Sequence, residues 1–284
     1  MRIQQVILLV SGVALVAILF LFGVTKAPKK EEVAMPGAMQ EGVSAGMVSI
    51  DFNAILDKAR LTLSDNQRDS IAMVEMSLEK SRGEKDKAQT LIHLGEDWNR
   101  TGNIIVAGKY FAEAAAINND IKTWEEAANR FFMGFPNAAD STVRIFAVQE
   151  AIKCYEQLRK LDTANQDYPI RQALCYIDGQ GQVMQGVTLL KEVEKKYPDN
   201  LEMNLALGRL AVVSGQYDKA AARLEKVVQL HPDNAEAYFH LAEAYRALGK
   251  KEEAIKALES CKLLVEDADF RAQIDSYINQ IKNQ

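Results

Sequence analysis

Three observations predict an all-α chain built as a solenoid of stacked helix pairs. A pattern of large and small residues returns about every 34 positions. Glycine stands where four of the pairs must turn, at Gly102, Gly181, Gly215 and Gly249. Proline closes two of the copies, at Pro198 and Pro232. The copies are read residue by residue. Leu91, Leu94, Gly95 and Trp98 precede Ala107 and Phe111 in one. Asn204, Leu207, Gly208 and Ala211 precede Ala220 and Leu224 in another, and Tyr238, Leu241, Ala242 and Tyr245 precede Ala254 and Leu258 in a third.

Taken in order, the chain begins with an uncharged apolar run, Val6 to Val24. As a helix it would span roughly 28 Å, close to the roughly 30 Å hydrocarbon thickness of a bilayer. The run is longer than a usual signal-peptide core, and Pro28 follows the one small-residue site, Thr25-Lys26-Ala27, so an uncleaved single-pass anchor is expected at 6–24. No cysteine lies near it, which excludes a lipoprotein. Arg2 before the run and Lys26, Lys29 and Lys30 after it lean toward a cytoplasmic repeat domain. Short bacterial anchors more often leave the following domain outside, and the expectation taken is periplasmic. Residues 25–50 have no helical stripe and read as a flexible linker.

Residues 51–87 follow as two capping helices. Phe52, Ile55, Leu56 and Ala59 share one helical stripe, and Ser64 with Gln67 three residues on makes a capping box for the second helix. The array occupies 88–268, in copies at 88–120, 121–165, 167–200, 201–234 and 235–268. Within a copy, small residues such as Gly208 and Ala220 let two helices approach, and a larger one such as Leu224 fills the remaining gap. Asp or Asn after each closing proline can cap the next helix. Two copies depart from the pattern. Gly186 stands where alanine is expected. In copy 121–165 the second-helix alanine, Ala151, comes about 11 residues late, so 134–146 is either a protruding loop or an extended helix. Phe270, Ile274, Tyr277, Ile278 and Ile281 form the stripe of a closing helix at 269–284, which shields the open end of the stack.

These residues resemble the tetratricopeptide repeat over about two-thirds of the chain. The resemblance implies a right-handed superhelical solenoid whose first helices line a concave groove for protein or peptide partners. On that basis the groove displays Ile92, Glu96, Asn99 and Arg100, then Arg171 and Asp178, then Leu205, Arg209 and Val212, then Phe239, Glu243 and Arg246. Such a mixture suits an extended peptide or partner helix, or else a plainly solvated surface. The Lys/Asn set that clamps a terminal carboxylate in co-chaperone repeats is absent, which argues against chaperone tails.

Chemistry is not apparent. The 3 histidines lack metal spacing, and the 3 cysteines lie far apart as expected of buried thiols. Gly179-Gln180-Gly181 follows no strand, so it is no phosphate loop. Glu125-Glu126 and Glu252-Glu253 read as solvated charges. No enzyme, cofactor or metal is expected, and a net charge of −5 argues against nucleic acid. The layout resembles membrane-anchored bacterial repeat scaffolds that support envelope assembly or secretion. A cytochrome c maturation factor and a self-associating structural protein are the alternatives, the second weakened because the apolar run has no Gly-Xaa-Xaa-Xaa-Gly pattern.

Overall fold

The structure is a computed structural model that describes residues 50–283. The anchor expected at 6–24, and all but the last residue of the expected linker, lie outside them. Among the described residues no helix is long and apolar enough to cross a membrane.

Helices α1 (Phe52–Arg60) and α2 (Asp65–Glu79) come first. Pairs follow: α3 (Glu84–Arg100) with α4 (Ile104–Asn118), α5 (Ile121–Gly134) with α6 (Ser141–Leu161), and α7 (Asp167–Leu174) with α8 (Val183–Lys196). Two further pairs are α9 (Leu201–Val213) with α10 (Tyr217–Leu230), and α11 (Ala235–Ala247) with α12 (Lys251–Leu264). Helix α13 (Ala268–Lys282) ends the described chain, which contains no strand. The fold is an α solenoid.

Local chemistry sets the boundaries. Gly102, Gly181, Gly215 and Gly249 turn four of the pairs with φ of 82°, 68°, 73° and 75°, a region where a Cβ would clash. The side chains of Asn200 and Asn234 accept from the Met203 and Ala237 amides at 2.9 and 2.7 Å, capping α9 and α11. Ser64 and Gln67 form both halves of the capping box on α2. Side-by-side packing then follows from size. A Cβ on Gly208 would lie 2.7 Å from Leu224, and one on Gly95 would lie 3.1 Å from the Phe111 ring. The core is a succession of buried clusters along the chain, each spanning neighbouring pairs, as a stack without a single centre requires.

The stretch at 134–146 is resolved in favour of an extended helix. A helical turn at Phe135–Asn137 follows α5, and α6 starts at Ser141 with Asp140 as its cap. The added turns have a partner. Phe146 is buried and stacks on Phe52 of α1 at 5.6 Å, while Phe52 meets Tyr110 of α4 edge-on. Lys58 of α1 also reaches Asp140 at 2.7 Å. Helix α1 thus lies against the second helices α4 and α6, and α2 packs on α3, where Ser70 donates to Asp97.

The pair α7–α8 is distorted. After Leu174 the chain widens into a π-type turn over Cys175–Gly179. This accounts for Gly186: a Cβ there would sit 2.5 Å from Ile177 and 2.6 Å from the Ala173 carbonyl oxygen. Alanine has no room.

Candidate binding face of the first helices

The first helices α3, α5, α7, α9 and α11, with the π-type turn that continues α7, carry all of the residues expected on a groove. Polar bonds tie several of them to the next first helix. Arg130 Nε on α5 donates to Asn99 Oδ1 on α3 at 2.8 Å. Arg171 Nη1 on α7 donates to Asn129 Oδ1 on α5 at 2.7 Å. Arg209 Nη2 on α9 donates to both oxygens of Asp178, at 2.9 and 2.8 Å. Each arginine reaches back one pair, and the bond gives a partly buried guanidinium an acceptor. Asn99, Arg171, Asp178 and Arg209 are therefore struts within the stack as much as surface groups.

The other expected groove residues fall into two sets. Ile92, Leu205, Val212 and Phe239 are half-buried, packed against the core with part of each side chain open. Glu96 and Arg100 each meet a neighbour on their own helix, His93 and Asp97 respectively, and their side chains are half or more open to solvent. At the carboxyl end, Phe239 packs near Phe270 and Tyr277, with ring centroids 5.9 and 6.4 Å away. Arg246 is exposed and lies over the Tyr277 ring at 5.6 Å. Glu243 pairs with His240 Nδ1 at 2.8 Å. The structure therefore ties Asn99, Arg171, Asp178 and Arg209 into struts and gathers Phe239 and Arg246 into a carboxyl-terminal aromatic group, with the other expected residues in neither.

A cavity of about 250 Å³ opens between α5, α6 and α7, lined by Glu125, Asn129, Tyr155, Asp167, Tyr168 and Arg171 among others. Of these, the sequence had marked only Arg171 for the site. Glu125 is not a solvated charge as expected: it is half-buried and accepts from the Tyr168 hydroxyl at 2.6 Å, because the tyrosine opening α7 packs over it. Tyr155 comes from a second helix, a position that reads as ordinary core. It is 1% exposed, and its hydroxyl has no hydrogen-bond partner; neither does Arg171 Nε. Burial pushes the Tyr155 phenol well above its ordinary range, against the pull of Arg171, so it stands as an O–H donor at neutral pH. Burial likewise raises the Glu202 carboxyl on α9, with Arg171 opposing and Asp167 adding to the shift.

The remaining titratable groups fit no catalytic pattern. Cys154, Cys175 and Cys261 are free and buried, and desolvation raises all three thiols, which makes them poor nucleophiles. No group of His, Cys, Asp and Glu suited to a metal occurs among the described residues.

Family models described as tetratricopeptide repeat match residues 170–200 and 205–260. No curated protein matches the chain. Similar solved structures include TTC0263, a thermophilic TPR protein in Thermus thermophilus, at 21% identity over 66% of this chain and 97% of that one, with a TM-score of 0.47. Another is YrrB, described as a TPR protein with an unusual peptide-binding site, at 14% identity over 72% and 97%, with a TM-score of 0.47. MamA matches at 17% identity over 61% and 89%, with a TM-score of 0.48. Likenesses at these levels carry no argument about function. The matched segments coincide with the third, fourth and fifth helix pairs, so the resemblance to the tetratricopeptide repeat is shown over those pairs.

Proposed function

We propose that the chain is a membrane-anchored scaffold whose first-helix face binds protein or peptide partners in support of envelope assembly or secretion. The observation that carries the binding reading is the carboxyl-terminal aromatic group. Phe239 remains partly open beside Phe270 and Tyr277, and Arg246 stands exposed over the Tyr277 ring. Apolar area flanked by a cation supplies both affinity and register for an extended segment or helix. The apolar run at 6–24 supports the anchor, and a linker at 25–50 would confine the repeats near a membrane surface, where weak contacts gain from local concentration. In this reading the repeat domain faces the periplasm.

A photocrosslinking amino acid at Phe239, in cells, tests the binding reading. A discrete protein adduct is expected, and it should fall when Arg246→Glu is added while helicity is unchanged. Adducts to lipid alone, or none, would overturn it. Arg209 is unsuited to this test, because a glutamate there would face Asp178. Reaction of single cysteines in 25–50 with an impermeant maleimide reports the side of the membrane, and labelling only after the membrane is breached would overturn the periplasmic assignment.

A further inference from the structure

Helix α2 stands at the amino-terminal end of the described stack and packs inward through one face, where Ile71 is buried and Val74 and Leu78 are half-buried. Its opposite face is open. Asp69, Met73, Met76 and Lys80 are separated by four, three and four positions, which lines them up on one side of the helix over roughly 16 Å. Met73 and Met76 are 60% and 50% exposed. The ion pairs of α2 are made elsewhere, Glu75 with Arg60 and Asp65 with Arg68, which leaves the exposed Asp69 and Lys80 without one among the described residues. The other end of the stack is finished differently: α13 buries Ile274, Ile278 and Ile281 and turns Ser276 and Asn279 to solvent. A polar outer face of that kind is what a terminal helix needs to end a stack. Two methionines in the middle of the face leave adaptable apolar area for a partner instead.

We propose that this face is a contact between two copies of the chain, their α2 helices packed antiparallel about a two-fold axis level with the Val74–Glu75 peptide. In that register the stripe is its own complement. Met73 of one copy meets Met76 of the other and Asp69 meets Lys80, so each contact occurs twice. Ala72 meets Ser77 on the flanks. Both are small, and the Ser77 hydroxyl already donates to the Met73 carbonyl at 2.9 Å, so covering it leaves no donor unmet. A parallel pairing would set Asp69 against Asp69 and Lys80 against Lys80. An anionic lipid surface is disfavoured, because Asp65, Asp69, Glu75 and Glu79 outnumber Arg68 and Lys80 on this segment. An aspartate early and a lysine late in a helix also suit its own dipole, but that accounts for neither methionine between them. One helix pair covers less than the roughly 1,200 Å² of a stable interface, so the dimer is weak in dilute solution and gains where chains are held close together. It uses none of the residues assigned to partner binding, and it holds or fails apart from that reading.

The test is charge reversal in the full chain, held in nonionic detergent, with association followed by sedimentation equilibrium. Asp69→Lys and Lys80→Asp should each weaken dimerisation roughly tenfold, because each sets like charges opposite one another at both ends of the contact. Mixing the two variants should restore it to within about threefold of the parent, since a copy with lysine at both positions then meets one with aspartate at both. The two positions lie roughly 16 Å apart on one helix, so the recovery cannot arise within a chain. Met73→Glu, at an exposed position, should abolish the dimer with helicity unchanged. A parent chain that stays monomeric at every concentration would overturn the proposal, as would association that survives Met73→Glu. Weakening by both reversals without recovery on mixing would also overturn it, because the antiparallel register would then be wrong.

Discussion

The regular pairs at 201–264 and the irregular pairs at 121–196 share one architecture and treat buried polar groups in opposite ways. Asn204 in α9 is 4% exposed and fully engaged: its amide donates to the Pro198 and Asn200 carbonyls at 2.8 Å each, and its oxygen accepts from Arg223 at 2.7 Å. Trp124 Nε1, Tyr155 Oη and Arg171 Nε in the irregular pairs are buried without partners, as is Trp98 Nε1 in the regular first pair. Among the described residues no such atom occurs after Arg171. The irregular pairs contain the late-starting α6 and the π-type turn at Cys175–Gly179. In the regular pairs at 201–264 each pair satisfies its neighbour. Three of the four unmet atoms fall where the register slips, and unmet groups of that kind mark places where stability has not been the only constraint.

Substitutions can break this contrast, and the largest effect is expected at Asn204. Replacing it with alanine strands the Pro198 carbonyl and Arg223 Nη1, while the Asn200 carbonyl keeps the amide of residue 204 and Arg223 keeps Glu194, at a cost of about 2–4 kcal/mol. Urea unfolding should show the midpoint falling with little change in slope. A loss below about 1 kcal/mol would mean that the regular pairs do not depend on this network. Next comes Gly186→Ala. On helix propensity alone it should stabilise α8 by about 1 kcal/mol. The Ala173 carbonyl 2.6 Å from the new Cβ predicts a net loss of about 1–3 kcal/mol instead. A stabilised variant would show that α7 and α8 can separate freely.

The opposite sign is expected at Tyr155. Phenylalanine keeps the ring, which packs edge-on to Phe132 at 6.1 Å, and removes a buried hydroxyl whose one polar neighbour is Arg171. Thermal stability should stay constant or rise by up to about 1 kcal/mol. A loss of more than about 1 kcal/mol would make the hydroxyl structural and erase the distinction between the two regions.

Much of the fold was legible because its signals are local. The turn glycines, the Asn200 and Asn234 caps and the Ser64–Gln67 box each act within a few residues. The place of α1 was not legible: Phe52 stacks on Phe146, far along the chain, and no short-range pattern encodes that partnership. The site was legible in outline only. An arginine on a first helix looks the same in sequence whether it meets solvent or the neighbouring helix. The spacing held a clue, since Asn99 to Arg130 and Asp178 to Arg209 are each separated by 31 residues, close to one repeat. Tyr155 gave no sign, because a buried aromatic on a second helix is what any core position would show.

The smallest effect, and the one that separates the irregular region by pH, belongs to Asp140. Its carboxylate caps α6 by accepting from the Thr142 amide at 2.8 Å and pairs with Lys58 at 2.7 Å. The Lys58 bond first, and then the Thr142 amide, lower its pKa from 3.8 to about 2. A pKa lowered by folding means stabilisation that is complete above the unfolded value and disappears as pH falls through the folded one. The difference in stability between the parent chain and Asp140→Ala should therefore be constant above about pH 5, shrink between about pH 4 and 2, and vanish below that. The group is open to solvent, so salt should weaken the Lys58 part and leave the amide part. Asp140→Asn, which can still accept from the Thr142 amide, should recover the salt-insensitive share and show no change over that pH window. A parent–alanine difference that persists unchanged below about pH 2 would show that the carboxylate contributes nothing to holding α1 against the added turns of α6.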